Sequence, residues 1–256
     1  IGGGNMGLAL ARAIRRQFPQ RAIRVCELRP ERREVFLREL PGAVAAATPA
    51  ELAASSDVVF LAVKPQDVAG VLPQIASADR LVISIAAGVR LERLEAGLPR
   101  ARVVRVMPNT PCQVGAMAAG FAYGAHVRPE DRRGVEELLA AAGYAAALPE
   151  ELLDAVTGVS GSGPAFVARL IEAFVAAGEA EGLPPRVARE LTLKTFEGTA
   201  RLLSETDMEP QALVDQVSSP NGTTVAGRRL LEASVVRETL IATIRAATAR
   251  SRELGR

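Results

Sequence analysis

Tryptophan is absent from these 256 residues, histidine occurs once and cysteine twice. A single histidine, His126, leaves little room for histidine-based acid–base chemistry, and no carboxylate or nucleophile spacing accompanies it. Cys26 lies in a strand pattern and Cys112 follows Pro111 in a loop. Two cysteines and one histidine without ligand spacing exclude a zinc centre, so no metal is expected. The same scarcity fits a reducing, cytoplasmic setting. Lysine is rare too: Lys64 and Lys194 stand alone among the arginines, which singles out Lys64. No apolar run approaches the roughly 20 residues that a bilayer span needs, so no membrane partner is expected. No basic segment followed by an apolar stretch opens the sequence, so no secretory signal is expected. Ile1 reads as the end of a strand whose start is expected to lie outside this sequence. The net charge of +2 is too small to call for nucleic acid.

What is present is apolar patterning and glycine. Nearly half the residues are hydrophobic, 48%, enough for a large core. Asp57–Val63 is an almost unbroken apolar run of the kind that forms a parallel strand buried on both faces. Leu81–Ala86 and Val103–Met107 repeat it, and Ala22–Glu27, Ala116–Tyr123 and Tyr144–Leu148 read as further strands. Helical periodicity falls between them, at Leu8–Phe18, Glu31–Leu40, Asp67–Ala76, Leu91–Leu98 and Pro129–Gly143. This alternation predicts βαβ units and a parallel sheet. After about residue 150 only helices are expected: Pro164–Glu181, Arg186–Ser204, Pro210–Val217, Thr223–Glu232 and Val235–Leu254. Long alanine-rich helices of this kind commonly pack against their own copy, although a closed monomeric bundle has the same pattern.

Gly2-x-Gly4-x-x-Gly7 sits between an apolar strand end and a helix. In that context the first glycine makes a tight turn, the second lets the main chain approach a pyrophosphate, and the third lets helix and strand pack closely. The free N–H groups of the helix N-terminus face the phosphates. Glu27, at the end of the second strand, is placed to bond the ribose hydroxyls of NAD. Arg29, two residues on, is placed to pair with the 2′-phosphate of NADP. The two signals conflict, so NADH and NADPH both stay open; either charge is also consistent with a solvated surface residue. Lys64 and Ala62-Val63-Lys64-Pro65 end the buried strand, where open α/β sheets bind ligands. Ile85-Ala86-Ala87 ends the next, with small residues against which a nicotinamide can lie. Asn109, between Pro108 and Pro111, is in a stiff turn suited to presenting an amide to the cofactor, or simply to bracing a loop.

Two more small-residue turns open onto helices: Ser160-Gly161-Ser162-Gly163-Pro164 and Ser219-Pro220-Asn221-Gly222-Thr223-Thr224. Together with Ile1–Met6, Ala62–Pro65, Ser84–Gly88 and Arg105–Pro111, they make the chain resemble the pyrroline-5-carboxylate reductases from end to end. The resemblance implies an α/β fold: an N-terminal Rossmann dinucleotide-binding domain over residues 1–149, then an all-α substrate-binding and dimerisation domain over residues 150–256. It implies hydride transfer from NADPH or NADH to the C=N carbon of 1-pyrroline-5-carboxylate, giving L-proline, in a homodimer at minimum that is extendable to a ring of dimers. Residues carried over as cofactor contacts are Gly2, Gly3, Gly4, Asn5, Met6, Ala62, Val63, Lys64, Pro65, Ile85, Ala86 and Ala87. Ser160, Gly161, Ser162, Ser219, Gly222, Thr223 and Thr224 become substrate contacts, with Thr224 beside the imine nitrogen as the catalytic candidate. Asn221 departs from the family's usual glycine, and Glu27 stands where many members carry a small or hydroxyl residue.

Two other classes fit parts of this pattern. A β-hydroxyacid dehydrogenase shares the front turn and helical tail, but its lysine position in the Gly158-x-x-Gly161-x-Gly163 stretch holds Val167. A non-catalytic NAD(P) sensor needs no turn such as Ser219–Thr224.

Overall fold

The computed structural model describes residues 1–255. The chain forms two compact units, one holding Ile1–Pro164 and the chain from Arg245 on, the other Ala165–Ile244.

The first unit is built on a sheet ordered β3-β4-β5-β6-β7, with a separate β1-β2 pair. The strands are β1 (Arg24–Val25), β2 (Val44–Ala45), β3 (Val58–Leu61), β4 (Leu81–Ser84), β5 (Arg102–Met107), β6 (Met117–Tyr123) and β7 (Gly143–Ala147). The helices are α1 (Asn5–Gln17), α2 (Pro30–Glu39), α3 (Pro49–Ala54), α4 (Val68–Ile75), α5 (Leu91–Gly97), α6 (Pro129–Ala140) and α7 (Leu153–Val156). Ile1 and Gly2 join the two groups of strands. The Ile1 amine donates to Phe60 O at 2.8 Å, Gly2 N to Cys26 O at 2.8 Å and Ala62 N to Ile1 O at 2.8 Å. Those bonds tie Ile1–Gly2 between β1 and β3.

The parallel ladder runs Val58↔Leu81 through Leu61↔Ser84, then Leu81↔Arg102 through Ser84↔Arg105. All four residues of β4 are buried, which is what a central strand covered on both faces requires. Apolar side chains pack both faces: Leu61, Val68, Leu94 and Val103 in one cluster, Leu10, Ile83, Val106 and Phe121 in the other.

Several expectations change on contact with the structure. β5 and β6 pair antiparallel, not parallel. The link between them holds only a short 3₁₀ turn, Thr110–Val114, and without a crossover helix the chain has to double back. Ala22–Glu27 contracts to Arg24–Val25, the two residues that pair with the equally short Val44–Ala45. β2 and α3 were not anticipated, since Val44–Ala45 is too short to show a period; α3 is set by its Thr48 cap, whose Oγ1 accepts from Glu51 N at 3.1 Å.

After Ala147 no strand follows among the described residues. The remaining helices are α8 (Gly163–Ala180), α9 (Pro185–Thr206), α10 (Pro210–Gln216), α11 (Thr223–Glu232) and α12 (Val236–Leu254). In the second unit Phe174 meets Phe196 edge-on, with centroids 5.1 Å apart. Gly178 lets α8 lie close to Ala188 of α9. Phe174, Leu191, Leu230 and Leu231 nonetheless remain more than half exposed. By length and mean hydropathy alone, Glu150–Ala180 qualifies for a membrane span.

Both cysteines are buried in the first unit, and burial raises both thiols, Cys112 to about 11. The thiolate is the nucleophile, so near pH 8 both side chains are protonated and inert. A disulfide-exchange dye should therefore label neither cysteine in the native protein and both after denaturation. Rapid native labelling would contradict the burial.

Candidate active site

The glycine turn works by close approach. Gly2 has φ +95°, and a Cβ there would lie 2.6 Å from Ala62 O. A Cβ on Gly7 would strike the Gly2 carbonyl. Gly4 differs: it is the N-cap of α1 with extended backbone, and a Cβ there would meet nothing within 4 Å. Gly2 and Gly7 therefore serve the protein's own packing, while Gly4 leaves a bare face. No side chain caps α1 and no acidic residue sits in its first turn, so its first N–H groups and the positive end of its dipole stay available to an anion. A dinucleotide pyrophosphate fits this cradle.

Glu27 folds inward onto the same turn. Its carboxylate accepts from Gly3 N at 2.7 Å, Arg29 N at 3.0 Å and Arg29 Nε at 3.2 Å, and the side chain is only 8% exposed. Burial opposes the charge, but the Arg29 and Gly3 amides and the Arg29 guanidinium win, and the carboxyl sits below its ordinary value. Arg29 is exposed beside it. The sequence reading missed Arg32, whose Nη1 donates to Asn5 Oδ1 at 2.9 Å and so reaches the start of α1. Its only sequence signal is a basic residue in the first turn of the helix after β1.

Ala62, Val63, Lys64 and Pro65 follow β3, and Ile85, Ala86 and Ala87 follow β4, the adjacent strand. Ala62 packs against Gly2 and Gly7. Lys64 is exposed and leads into a 3₁₀ turn at Pro65–Asp67. Ile85 N donates to Leu61 O at 3.0 Å, Ala86 is buried and Ala87 is exposed. The end of α12 is anchored nearby: Ser251 Oγ donates to the buried Asp154 Oδ1 at 2.6 Å, and Arg90 Nε to Gly255 O at 3.0 Å.

Asn109 does not present its amide. It is 7% exposed, its Oδ1 accepts from Ala118 N at 2.9 Å and its Nδ2 donates to Ser160 O at 3.2 Å. Thr157–Gly161 forms a π-helical turn, closed by Ser162 N donating to Thr157 O at 2.8 Å. Gly161 lies directly against the Met107 methyl, 2.6 Å from where a Cβ would stand. Ser160, Gly161 and Ser162 thus stand at the carboxyl end of β5, all within the first unit.

Ser219, Gly222, Thr223 and Thr224 lie in the second unit. Asn221 adopts φ +58°, the left-handed conformation that asparagine tolerates. Gly222 N donates to Ser219 O at 2.9 Å, closing a turn whose small Gly222 sits against Ser219. Gly222 is the N-cap of α11, with no side-chain cap and no acid in the first turn. Thr223 and Thr224 are exposed. Nearby, Arg228 Nη1 contacts Ser218 Oγ at 3.5 Å. His126 is exposed in its loop, and no cluster of three or more metal-ligating side chains occurs among the described residues.

Residues 150–254 match the model of the pyrroline-5-carboxylate reductase dimerisation domain, and residues 1–88 that of the coenzyme F420-dependent NADP oxidoreductases. A pyrroline-5-carboxylate reductase of Synechocystis sp. is 44% identical over 260 residues, covering 100% of this chain and 97% of the relative. The chain belongs to the pyrroline-5-carboxylate reductase family. A solved family member from Coxiella burnetii superposes with TM-score 0.94 at 32% identity, covering 100% of this chain and 97% of that one. The Plasmodium falciparum enzyme, solved with NADP bound, gives TM-score 0.87 at 29% identity, covering 100% and 96%.

The two kinds of glycine separate experimentally. Gly2→Ala should cost about 1–3 kcal/mol of stability from backbone strain alone. Gly4→Ala should change stability by less than about 0.5 kcal/mol yet weaken NADPH binding about tenfold or more. Thermal denaturation and cofactor titration check the pair; a Gly4→Ala protein with native affinity would refute the bare-face reading. Glu27 supplies a pH signature. Its folded pKa is depressed, so its contribution exists above the ordinary carboxylate range and is lost as pH falls through the folded value. The melting-temperature gap between wild type and Glu27→Gln should be open at about pH 7 and narrow as pH falls below the ordinary carboxylate range. A gap independent of pH would contradict the inward carboxylate.

Proposed function

We propose that this chain reduces 1-pyrroline-5-carboxylate to L-proline with NADPH or NADH. The observation that carries the reading is the pair of uncapped helix N-termini, α1 and α11, each opened by a small-residue turn. Family membership supports the same reading. The N-terminus of α1 at Gly4, Asn5 and Met6 holds the cofactor's pyrophosphate on the turn that Gly2 and Gly3 shape, with Arg29 at the ribose beside the inward Glu27 and Ala62–Pro65 and Ile85–Ala87 along the cofactor's length. When bound, the cofactor supplies a hydride.

The substrate is a small ring with one carboxylate and one imine. The N–H groups at Gly222–Thr224 suit the carboxylate without an arginine in direct contact. The imine carbon gains the hydride and the nitrogen gains a proton, so C=N becomes HC–NH. The nitrogen is basic enough to arrive protonated, so no side chain has to be tuned as an acid. The hydroxyl oxygen of Thr224 accepts a hydrogen bond from the N–H of that protonated nitrogen and positions it. Ser160, Gly161 and Ser162 complete the substrate contacts.

A Rossmann part over residues 1–149 and a helical part over residues 150–256 accommodate this division of labour. Exposed apolar side chains such as Phe174, Leu191 and Leu230 face a second copy of the chain rather than lipid, giving a homodimer at minimum. The near-neutral charge calls for neither nucleic acid nor a membrane surface, and the working place is the cytoplasm.

Mixing the purified protein with 1-pyrroline-5-carboxylate and either reduced cofactor should consume the cofactor's near-ultraviolet absorbance. No oxidation with NADH or NADPH would reject the proposal. Thr224→Ala should lower kcat about tenfold, the worth of one hydrogen bond, while cofactor affinity stays within about twofold; unchanged turnover would remove Thr224 from its role.

A further inference from the structure

Ser160 has a carbonyl that its own helix leaves short of a donor. Four residues on, where an α-helix would supply an N–H, stands Pro164, which has none. The chain bends into the π-helical turn Thr157–Gly161 at this point. π-Turns of this kind mark functional positions more often than chance, because they cost backbone regularity. Asn109 fills the gap. Its Nδ2 donates to Ser160 O at 3.2 Å while its Oδ1 holds Ala118 N, the second residue of β6, at 2.9 Å. One buried amide therefore ties three segments: the end of β5, the start of β6 and the π-turn. The Met107 methyl against Gly161 closes the same joint from the strand side.

We infer that Asn109 is a positioning residue for substrate: it sets the Ser160–Gly161–Ser162 turn without touching the reactants. The inference rests on the proposed function, in which that turn contacts the substrate. A carboxamide is needed for this task, since it alone offers a donor and an acceptor on one short planar group. Aspartate keeps the acceptor for Ala118 N but turns an anionic oxygen toward the Ser160 carbonyl.

The test uses the full chain with Asn109→Asp and the milder Asn109→Ala. Both should raise KM for 1-pyrroline-5-carboxylate about tenfold or more, because misplacing a binding group by about an ångström costs that much. The dissociation constant for NADPH should stay within about twofold, since Asn109 makes no hydrogen bond to the Gly2–Gly7 turn. A purely structural role would instead lower the active fraction, and so kcat, with KM unchanged; that result overturns the inference. Amide hydrogen exchange of the peptide spanning Thr157–Ser162 gives a readout independent of activity and should quicken in both variants. If the wild-type chain consumes no reduced cofactor with 1-pyrroline-5-carboxylate, the proposed function fails. Faster exchange in the variants then still supports Asn109 as the brace, and unchanged exchange overturns it.

Discussion

Three stretches of backbone meet at Gly2, Gly7 and Ala62, closer than any side chain permits. Gly2 bonds to Cys26 on one side, and Ile1 to Phe60 and Ala62 on the other, so this short strand end holds β1 and β3 in register. Gly7 lets α1 descend onto the same point, which sets its uncapped N-terminus beside Ala62 at the carboxyl end of β3. Replacing either glycine pushes the helix away from the sheet. The anion cradle and the sheet are therefore one object, and the front glycines answer to packing before they answer to a ligand.

That constraint also explains the kind of chemistry the chain supports. Its titratable side chains are badly placed for acid–base catalysis. His126 is exposed in a loop, and Cys112 is buried and held protonated. Glu27 is kept ionised by main-chain amides and by Arg29, so its carboxylate braces the turn and carries no proton at neutral pH. What remains is main-chain N–H groups, hydroxyls and fixed dipoles. Such groups position a reactant and stabilise charge without any reorganisation. A reaction whose electrons come from a cofactor, and whose proton is already on a basic imine, asks for no more.

How far the sequence could be read depended on whether a feature was local. The glycine spacing, the buried runs at Val58–Leu61 and Leu81–Ser84 and the loss of strands after Ala147 are written in contiguous residues, and all were legible. The antiparallel turn from β5 to β6 was not, because strand direction depends on what fills the link and not on either strand's pattern. Asn109 read as a residue that presents its amide between two prolines. Its partners, Ser160 and Ala118, are distant in sequence or hidden in a strand, so its inward turn is a tertiary fact. Glu27 was singled out for its place at the end of the second strand, but its grip on Gly3 depends on a contact across 24 residues. Arg32 was missed because a basic residue in the first turn of an arginine-rich helix stands out little from its neighbours.

The second unit poses the opposite problem, one of too little burial. Residues 165–244 form a small unit, and a chain of that length buries a modest share of its surface by itself. Within it, α8, α10 and α11 have no fully buried residue, although α8 is among the most apolar stretches in the chain. Apolar side chains left in water contribute nothing toward the conformational entropy lost on ordering those helices. The missing burial has to come from outside the protomer, and a face matched by the family's dimerisation model meets its own copy. Stability of the helical unit is then linked to protomer concentration by mass action. The Ser219–Thr224 turn, which sits at the head of one of these helices, inherits that dependence. In the proposed function that turn contacts the substrate, and assembly and substrate binding are then coupled through the folding of the same short helices.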